Sequence, residues 1–148
     1  MEESLSLLEQ IREEFSLESR DLRTYSPLTL AFLGDCVFDL VIRTVVVERA
    51  NQPAHQLHQK KSRIVKAKTQ AELAQILWEY LTEEEQAVYK RGRNAKSGTS
   101  AKNASITDYR KATGLEALMG YWYLKGENER MIHLIHKGLE KLKGDPDR

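Results

Sequence analysis

Two short runs, each with a single carboxylate among small and apolar residues, constrain the fold more than any other part of the sequence. They are Phe32-Leu33-Gly34-Asp35 and Gly114-Leu115-Glu116-Ala117-Leu118-Met119-Gly120. A carboxylate in such surroundings needs a partner, because burying it unpaired is costly. A hard divalent cation with oxygen ligands is one suitable partner. If folding brings Asp35 and Glu116 together, they predict a Mg²⁺ site suited to phosphodiester chemistry. The alternative is that each acid pairs with a lysine or an arginine at a helix surface.

Length and composition favour one globular domain spanning residues 1–148. Hydrophobic residues make up 41% of the chain and charged residues 30%, which is typical of a soluble protein with an ordinary core. The net charge of +1 does not by itself indicate a nucleic-acid partner. The basic residues are unevenly placed, however, and Asp108 is the only acid between Lys90 and Lys111. A local positive field is therefore expected there.

Cysteine content and hydropathy indicate the cytoplasm. Cys36 is the only cysteine, which excludes an internal disulfide and fits a reducing compartment. The start Met-Glu-Glu-Ser lacks the basic and apolar regions of a signal peptide. The longest apolar stretch, residues 36–47, is interrupted by Asp39 and Arg43 and is shorter than the ~20 residues that cross a bilayer. No membrane association is expected.

Apolar periodicity predicts an all-α fold of six or seven helices. The stretch 27–50 contains a β-branched run, but Asp35, Asp39 and Arg43 recur at intervals of four and form one stripe on a helix. Asp39 is expected to pair with Arg43 one turn on, or with an opposite helix. The alternative is that it orders the water shell of the metal or nearby lysines. Thr82 and Glu85 form a capping-box signal. The predicted helices span residues 2–16, 27–50, 54–80 with a break near Lys66, 83–92, 106–125 and 128–142.

Residues 92–104 have no strong apolar period and many turn formers, so they predict an exposed, mobile, basic loop. Such a loop can reach the phosphates of an RNA duplex, which is recognised by shape and backbone more than by base sequence. The alternative is a solvated loop whose charges keep the protein soluble. The candidate RNA-binding residues in and beside it are Arg91, Arg93, Lys96 and Lys102.

The two acidic runs resemble motifs of the ribonuclease III family. Residues 30–39, Leu-Ala-Phe-Leu-Gly-Asp-Cys-Val-Phe-Asp, are similar to the family's signature helix. Residues 114–124, Gly-Leu-Glu-Ala-Leu-Met-Gly-Tyr-Trp-Tyr-Leu, resemble its second motif. The motifs occur in the family's order at a plausible separation, and the similarity covers most of residues 20–142. The resemblance implies a ribonuclease III-type helical endonuclease domain.

One branch, the mini-ribonucleases III, is resembled more closely through Tyr25-Ser26-Pro27, residues 90–95, Lys102-Asn103-Ala104 and residues 109–114. This resemblance implies a catalytic domain without a separate double-stranded-RNA-binding domain. It also implies a homodimer that cuts double-stranded RNA with Mg²⁺ and matures large-subunit (23S) ribosomal RNA in bacteria. The apolar Phe32-Leu33 and Val37 region is the candidate for part of the dimer contact.

At two positions this chain lacks an acid that the wider family has, and this limits which of the family's functional residues can be assigned here. The family places a glutamate where this chain has Ala31, and an aspartate where it has Thr113. The resemblance therefore assigns catalysis and metal binding to Asp35 and Glu116 alone. The missing acids also motivate a different hypothesis, a ribosomal RNA-binding module of the same fold that does not cut. A helical protein–protein adaptor is a further alternative, motivated by the near-zero net charge.

Overall fold

The computed structural model describes residues 4–95 and 105–142. Within these ranges the chain is helical and contains no strand, so the predicted all-α fold is confirmed. Short 3₁₀ helices occupy Leu22–Thr24 and Trp78–Tyr80. The seven α-helices are α1 (Leu7–Glu14), α2 (Pro27–Arg49), α3 (Ala54–Val65), α4 (Ala67–Leu77), α5 (Glu83–Asn94), α6 (Ile106–Lys125) and α7 (Asn128–Lys141).

Local signals at the helix ends explain why the predicted bounds of α2 and α6 agree with the structure. The Ser26 hydroxyl accepts a hydrogen bond from the Thr29 N–H at 3.1 Å, and Pro27 occupies the first turn of α2. Ser105 caps α6 in the same way through the Asp108 N–H at 3.0 Å. Gly126 ends α6 in the left-handed conformation, with φ of 81°, which a residue with a Cβ rarely adopts.

Helix α6 lies at the centre of the molecule and contacts α2, α4, α5 and α7. Its side chains Leu115, Leu118, Met119 and Trp122 are almost completely excluded from solvent. Burial of each such side chain stabilises the fold by roughly 1.5–3 kcal/mol. Glu116 is therefore carried by the most deeply packed helix, which fixes its backbone position.

Helices α2 and α6 cross at a point where neither has room for a side chain. A Cβ added at Gly34 would collide with the carbonyl oxygen of Glu116, and one added at Gly120 would collide with the carbonyl oxygen of Leu30. The two glycines thus allow backbone-to-backbone contact between the helices. This contact places residue 35 of α2 beside residue 116 of α6.

The predicted loop over residues 92–104 is wrong at its start, because α5 continues to Asn94. Gly92 is buried in the contact between α5 and α6, where an added Cβ would lie 2.8 Å from the Ala117 Cβ. Its lack of a side chain serves close helix packing and not a turn. Arg91 and Arg93 therefore lie on a helix, while residues 96–104 lie outside the described ranges.

The predicted capping box at the start of α5 is present and belongs to a larger network. Glu85 Oε1 accepts hydrogen bonds from the Thr82 N–H at 2.8 Å and from Arg130 Nη2 at 2.7 Å. Its Oε2 accepts from Trp122 Nε1 and from Arg130 Nε, both at 2.6 Å. Glu85 is 5% exposed, and this network joins α5, α6 and α7.

Helices α1 and α2 both expose apolar side chains. Helix α1 begins later and ends earlier than the predicted 2–16 and has no buried residue. On α2, Leu28, Phe32 and Leu40 are exposed, Phe32 to 83%. We call these three residues and the exposed Cys36 between them the outer face of α2. Val37, which the sequence placed in a dimer contact, is buried within the protomer.

Candidate active site

The crossing of α2 and α6 brings Asp35 and Glu116 together. The Asp35 side chain is exposed, whereas that of Glu116 is partly buried. The two carboxyl groups are close enough for a hydrogen bond between a protonated Glu116 and Asp35. The juxtaposition predicted from the two sequence runs is therefore present in a single protomer.

The electrostatics of this pair favour a cation. Burial raises the pKa of Glu116 to about 8, and the hydrogen bond and negative charge of Asp35 act in the same direction. A hydrogen bond from Gln70 acts in the opposite direction, towards a lower pKa. A divalent ion would relieve the repulsion between the two carboxylates and favour their charged forms.

Gln70 is a site residue that the sequence analysis missed. It belongs to α4, is 3% exposed, and lies beside the Glu116 carboxyl. A signal was available, because Gln70 shares a helix face with the buried Ala74 and Leu77. A polar residue on the apolar face of a helix is unusual and indicates a partner in the interior.

Asp39, one turn beyond Asp35 on α2, pairs with basic residues. Its Oδ2 accepts a hydrogen bond from Arg43 Nε at 2.7 Å. Lys61 Nζ lies 3.3 Å from Oδ1, within ion-pair range but not aligned for a hydrogen bond, so Oδ1 has no hydrogen-bond donor among the described residues. The ion pair expected within α2 is thus present, and α3 supplies a second cation.

The positions of the two missing family acids provide no further carboxylate. Ala31 is buried and has no donor atom, and Thr113 is 7% exposed. The Thr113 hydroxyl donates to the Tyr109 carbonyl at 3.0 Å. Its hydrogen is therefore already used inside α6.

The donor set suits a hard cation that keeps much of its water. Mg²⁺ is commonly held by one or two carboxylates plus several waters, and Asp35 and Glu116 supply such a pair. Within residues 4–95 and 105–142, no cluster of three or more histidine, cysteine or acidic side chains could hold a metal. Gln70, which lies beside Glu116, also carries a buried amide oxygen that accepts no hydrogen bond from any described residue.

Of the four predicted RNA-binding residues, two can be placed. Arg91 is exposed on α5, and its Nη2 donates to the Tyr25 carbonyl at 3.2 Å. The Arg93 guanidinium lies 5.7 Å from the centre of the Tyr89 ring. Lys96 and Lys102 fall outside the described residues. Both arginines are at the C-terminal end of α5, which packs on the helix that carries Glu116.

Comparison with known proteins identifies the family. The sequence model of the Ribonuclease III domain matches residues 28–127, which include both acidic motifs. The chain belongs to the ribonuclease III family. Among similar proteins of this family, Mini-ribonuclease 3 of Thermoanaerobacter sp. (strain X514) is 44% identical over 126 residues, covering 85% of this chain and 89% of that protein. Mini-ribonuclease 3 of Clostridium tetani is 48% identical over 124 residues, covering 83% and 81%.

A solved structure has a similar fold. The crystal structure of protein FN1578 from Fusobacterium nucleatum has a TM-score of 0.75 and 32% sequence identity, covering 83% of this chain and 98% of that one. The resemblance to the ribonuclease III family and its mini-ribonuclease branch is therefore confirmed, together with the predicted fold. The enzyme class, a metal-dependent endoribonuclease acting on RNA, is confirmed with them.

No helix in the described parts of this ribonuclease III family member combines the length and apolar character needed to cross a membrane.

Proposed function

We propose that this chain is a Mg²⁺-dependent endoribonuclease that cuts double-stranded RNA at a site held by Asp35 and Glu116. The observation that supports this proposal is the meeting of two carboxylates at the Gly34–Gly120 crossing, where burial and Asp35 raise the pKa of Glu116 to about 8. A fold that holds two like charges together needs a compensating positive charge for both to ionise. The family supplies the reaction class, phosphodiester hydrolysis.

The division of roles follows from the positions of the side chains. Mg²⁺, when bound, supplies Lewis-acid activation of water and stabilises negative charge at the scissile phosphate. Asp35, exposed on α2, is accessible to a duplex. Glu116, anchored on the buried α6, holds the second carboxylate in place. Asp39 keeps Arg43 and Lys61 ordered one turn away.

Precursor 23S ribosomal RNA is the proposed substrate, and the bacterial cytoplasm is the proposed location. This choice follows the resemblance to the mini-ribonuclease III branch, to which the relatives from Thermoanaerobacter and Clostridium tetani belong. Arg91, Arg93, Lys96 and Lys102 are proposed to contact the phosphates of the duplex. Contacts of this kind position an RNA helix without selecting its base sequence.

We place the homodimer contact on the outer face of α2. Leu28, Phe32 and Leu40 form an exposed apolar stripe, and monomeric proteins rarely expose large contiguous apolar patches. In a twofold dimer this stripe would pack against its own copy, so that each protomer contributes one cutting site. The helices of this chain are proposed to form one catalytic domain.

A digest of duplex RNA tests the catalytic proposal. The parent protein is expected to cut with Mg²⁺ and to stop when EDTA is added. Asp35→Asn is expected to lose cleavage while still binding duplex RNA, and Glu48→Gln, at an exposed acid of the same helix, serves as the matched control that still cuts. Tight RNA binding with intact RNA across a range of Mg²⁺ concentrations would support the non-cleaving module instead.

The RNA contact is tested by salt dependence. Arg91→Ala and Arg93→Ala are each expected to weaken duplex binding. Each is also expected to reduce the slope of log affinity against log salt by roughly one unit, because one fewer phosphate is neutralised. An unchanged affinity and slope in both variants would remove α5 from the RNA surface. Binding that is insensitive to salt in the parent would favour the adaptor hypothesis.

Sedimentation of Phe32→Glu tests the dimer. The parent is expected to sediment as a dimer and the variant as a folded monomer, because a glutamate on the outer face of α2 would place two like charges in the contact. A variant that remains dimeric would move the interface elsewhere.

A further inference from the structure

The interior of the molecule contains a polar side chain that neither the family motifs nor the charge pattern explains. Gln70 is 3% exposed and lies on the core-facing side of α4. A leucine would suit the same face, as Leu77 does two turns later. Because a buried amide needs hydrogen-bond partners for both its nitrogen and its oxygen, those partners define what Gln70 does.

The backbone of α3 fixes the orientation of the Gln70 amide. Its Nε2 donates to the Val65 carbonyl at 2.6 Å, and Val65 is the last residue of α3. Rotating the amide by half a turn would point Oε1 at that carbonyl, and two acceptors would then repel each other. The nitrogen therefore faces Val65, and its second hydrogen remains available to the neighbouring Glu116 carboxylate.

The oxygen of the same amide has no hydrogen-bond partner among the described residues. Gln70 Oε1 is inaccessible to solvent and accepts no hydrogen bond from any described residue. An amide oxygen is a hard, neutral acceptor of the kind that surrounds Mg²⁺ and its waters in proteins. This unused acceptor belongs to a residue that lies beside Glu116.

We propose that Gln70 is a positioning residue of the active site, which holds the Glu116 carboxylate through an N–H donor and offers Oε1 to the water shell of the bound cation. The inference rests on the proposed function, because it assumes that Asp35 and Glu116 bind the cation. Gln70 joins α3, α4 and α6 at one point, so the orientation of Glu116 depends on the junction between α3 and α4. Groups that orient a metal ligand commonly change metal affinity or activity by roughly 10- to 100-fold when they are removed.

A purely structural role would predict something different. The junction of α3 and α4 has a second side-chain bond, from the Thr69 hydroxyl to the Arg63 carbonyl at 2.9 Å. If Gln70 only fastened this junction, Thr69→Val would resemble Gln70→Leu in every measurement. Thr69 is adjacent in sequence and fastens the same two helices, and so Thr69→Val is the matched control.

The test measures cation binding apart from catalysis. Calorimetric titration of the RNA-free protein with Mn²⁺ is expected to give a dissociation constant about tenfold higher for Gln70→Leu than for the parent. Thr69→Val is expected to bind Mn²⁺ as the parent does. In single-turnover cleavage, Gln70→Leu is expected to need more Mg²⁺ for half its maximal rate and to have a lower maximal rate, with duplex affinity in Ca²⁺ unchanged. Gln70→Met, unbranched and similar in volume, replaces the leucine variant if that one does not fold.

The outcomes separate this inference from the function on which it rests. A parent that does not cut duplex RNA with Mg²⁺, or an Asp35→Asn variant that cuts as the parent does, overturns the proposed function. If the parent cuts and Asp35→Asn does not, but Gln70→Leu and Gln70→Met bind Mn²⁺ as the parent does, Gln70 is not a positioning residue. Equal losses of cation affinity in Thr69→Val and Gln70→Leu would also reject the inference, since the junction alone would then account for them.

Discussion

Glu85 and Glu116 are carboxylates with little exposure on neighbouring helices, yet their surroundings have opposite effects. Burial alone would raise the pKa of Glu85, but hydrogen bonds from Arg130, the Thr82 N–H and Trp122 outweigh it and lower that pKa to about 2. Burial also raises the pKa of Glu116, and the neighbouring Asp35 adds to the effect, so that it reaches about 8. Both acids lie against the same helical core, and burial acts in the same direction on both, so the difference in their partners gives the opposite shifts.

The comparison distinguishes an acid that holds the fold from one that suits a ligand. Both oxygens of Glu85 are occupied by donors within the protein, so this carboxylate has no capacity left for a cation. Glu116 has a like charge and one amide beside it, and no cation among the described residues compensates its negative charge. Strongly perturbed acids of the second kind are common at functional sites.

The same change, glutamate to glutamine, tests both acids, and the largest effect is expected at Glu116. Glu116→Gln is expected to reduce the single-turnover cleavage rate by about a thousandfold or more, because a metal ion contributes several kcal/mol to such a reaction and each 1.36 kcal/mol is tenfold. Circular dichroism should show an unchanged helical fold. Folded Glu116→Gln that cuts at the parent rate would show that the perturbed acid is not catalytic.

Glu85→Gln is expected to act on stability and not on chemistry. The Arg130 side chain is 35% exposed and that of Glu85 is 7% exposed, so water can partly solvate Arg130 when its partner loses its charge. The free energy of unfolding is therefore expected to fall by about 2–3 kcal/mol, at the low end for a broken buried pair. Urea denaturation at pH 7 measures the loss, and Glu83→Gln, on the exposed first turn of α5, is the control expected to change it little. The folded fraction of Glu85→Gln should cleave RNA at the parent rate, and a loss of rate without a loss of stability would contradict the comparison.

The loss of stability at acid pH should depend on Glu85. Because folding lowers its pKa, the stabilisation is present above the ordinary value near 4.5 and is lost as pH falls towards about 2. The difference in stability between the parent and Glu85→Gln should therefore shrink across that range. A difference that stays constant from pH 5 to pH 2 would show that the ion pair does not titrate as described.

The smallest expected effect concerns the metal-free protein at higher pH. There the stability should fall as pH rises, whereas the Glu85 contribution increases with pH. Because folding raises the pKa of Glu116 to about 8, stability should fall as pH rises from about 4.5 to about 8. Asp35→Asn removes the neighbouring charge and is expected to stabilise the EDTA-treated protein by about 1–2 kcal/mol at pH 8. Thermal unfolding against pH measures this gain, and Mg²⁺ should stabilise the parent more than the variant. A variant less stable than the parent in EDTA would mean that Asp35 has a structural partner.

Much of the secondary structure was predictable because its signals are local. Ser26 and Pro27 start α2, Ser105 starts α6 and Gly126 ends it, and all of these act within a few residues along the chain. Gly92 shows where such signals fail. Glycine suits turns in general, but here it allows α5 to approach α6, and only the neighbouring helix distinguishes the two uses.

The sequence by itself determined which helices form and which two acids are the candidates for the family's chemistry, because helix caps, apolar periods and short motifs are properties of neighbouring residues. Only the tertiary structure decided which side chains surround Glu85 and Glu116. Arg130 and Trp122 surround Glu85, while Asp35 and Gln70 reach Glu116, and each pairing joins residues far apart in the chain. The physical reason is that a pKa depends on burial and on the charges nearby in space. Those quantities are set when α2, α4 and α6 pack together.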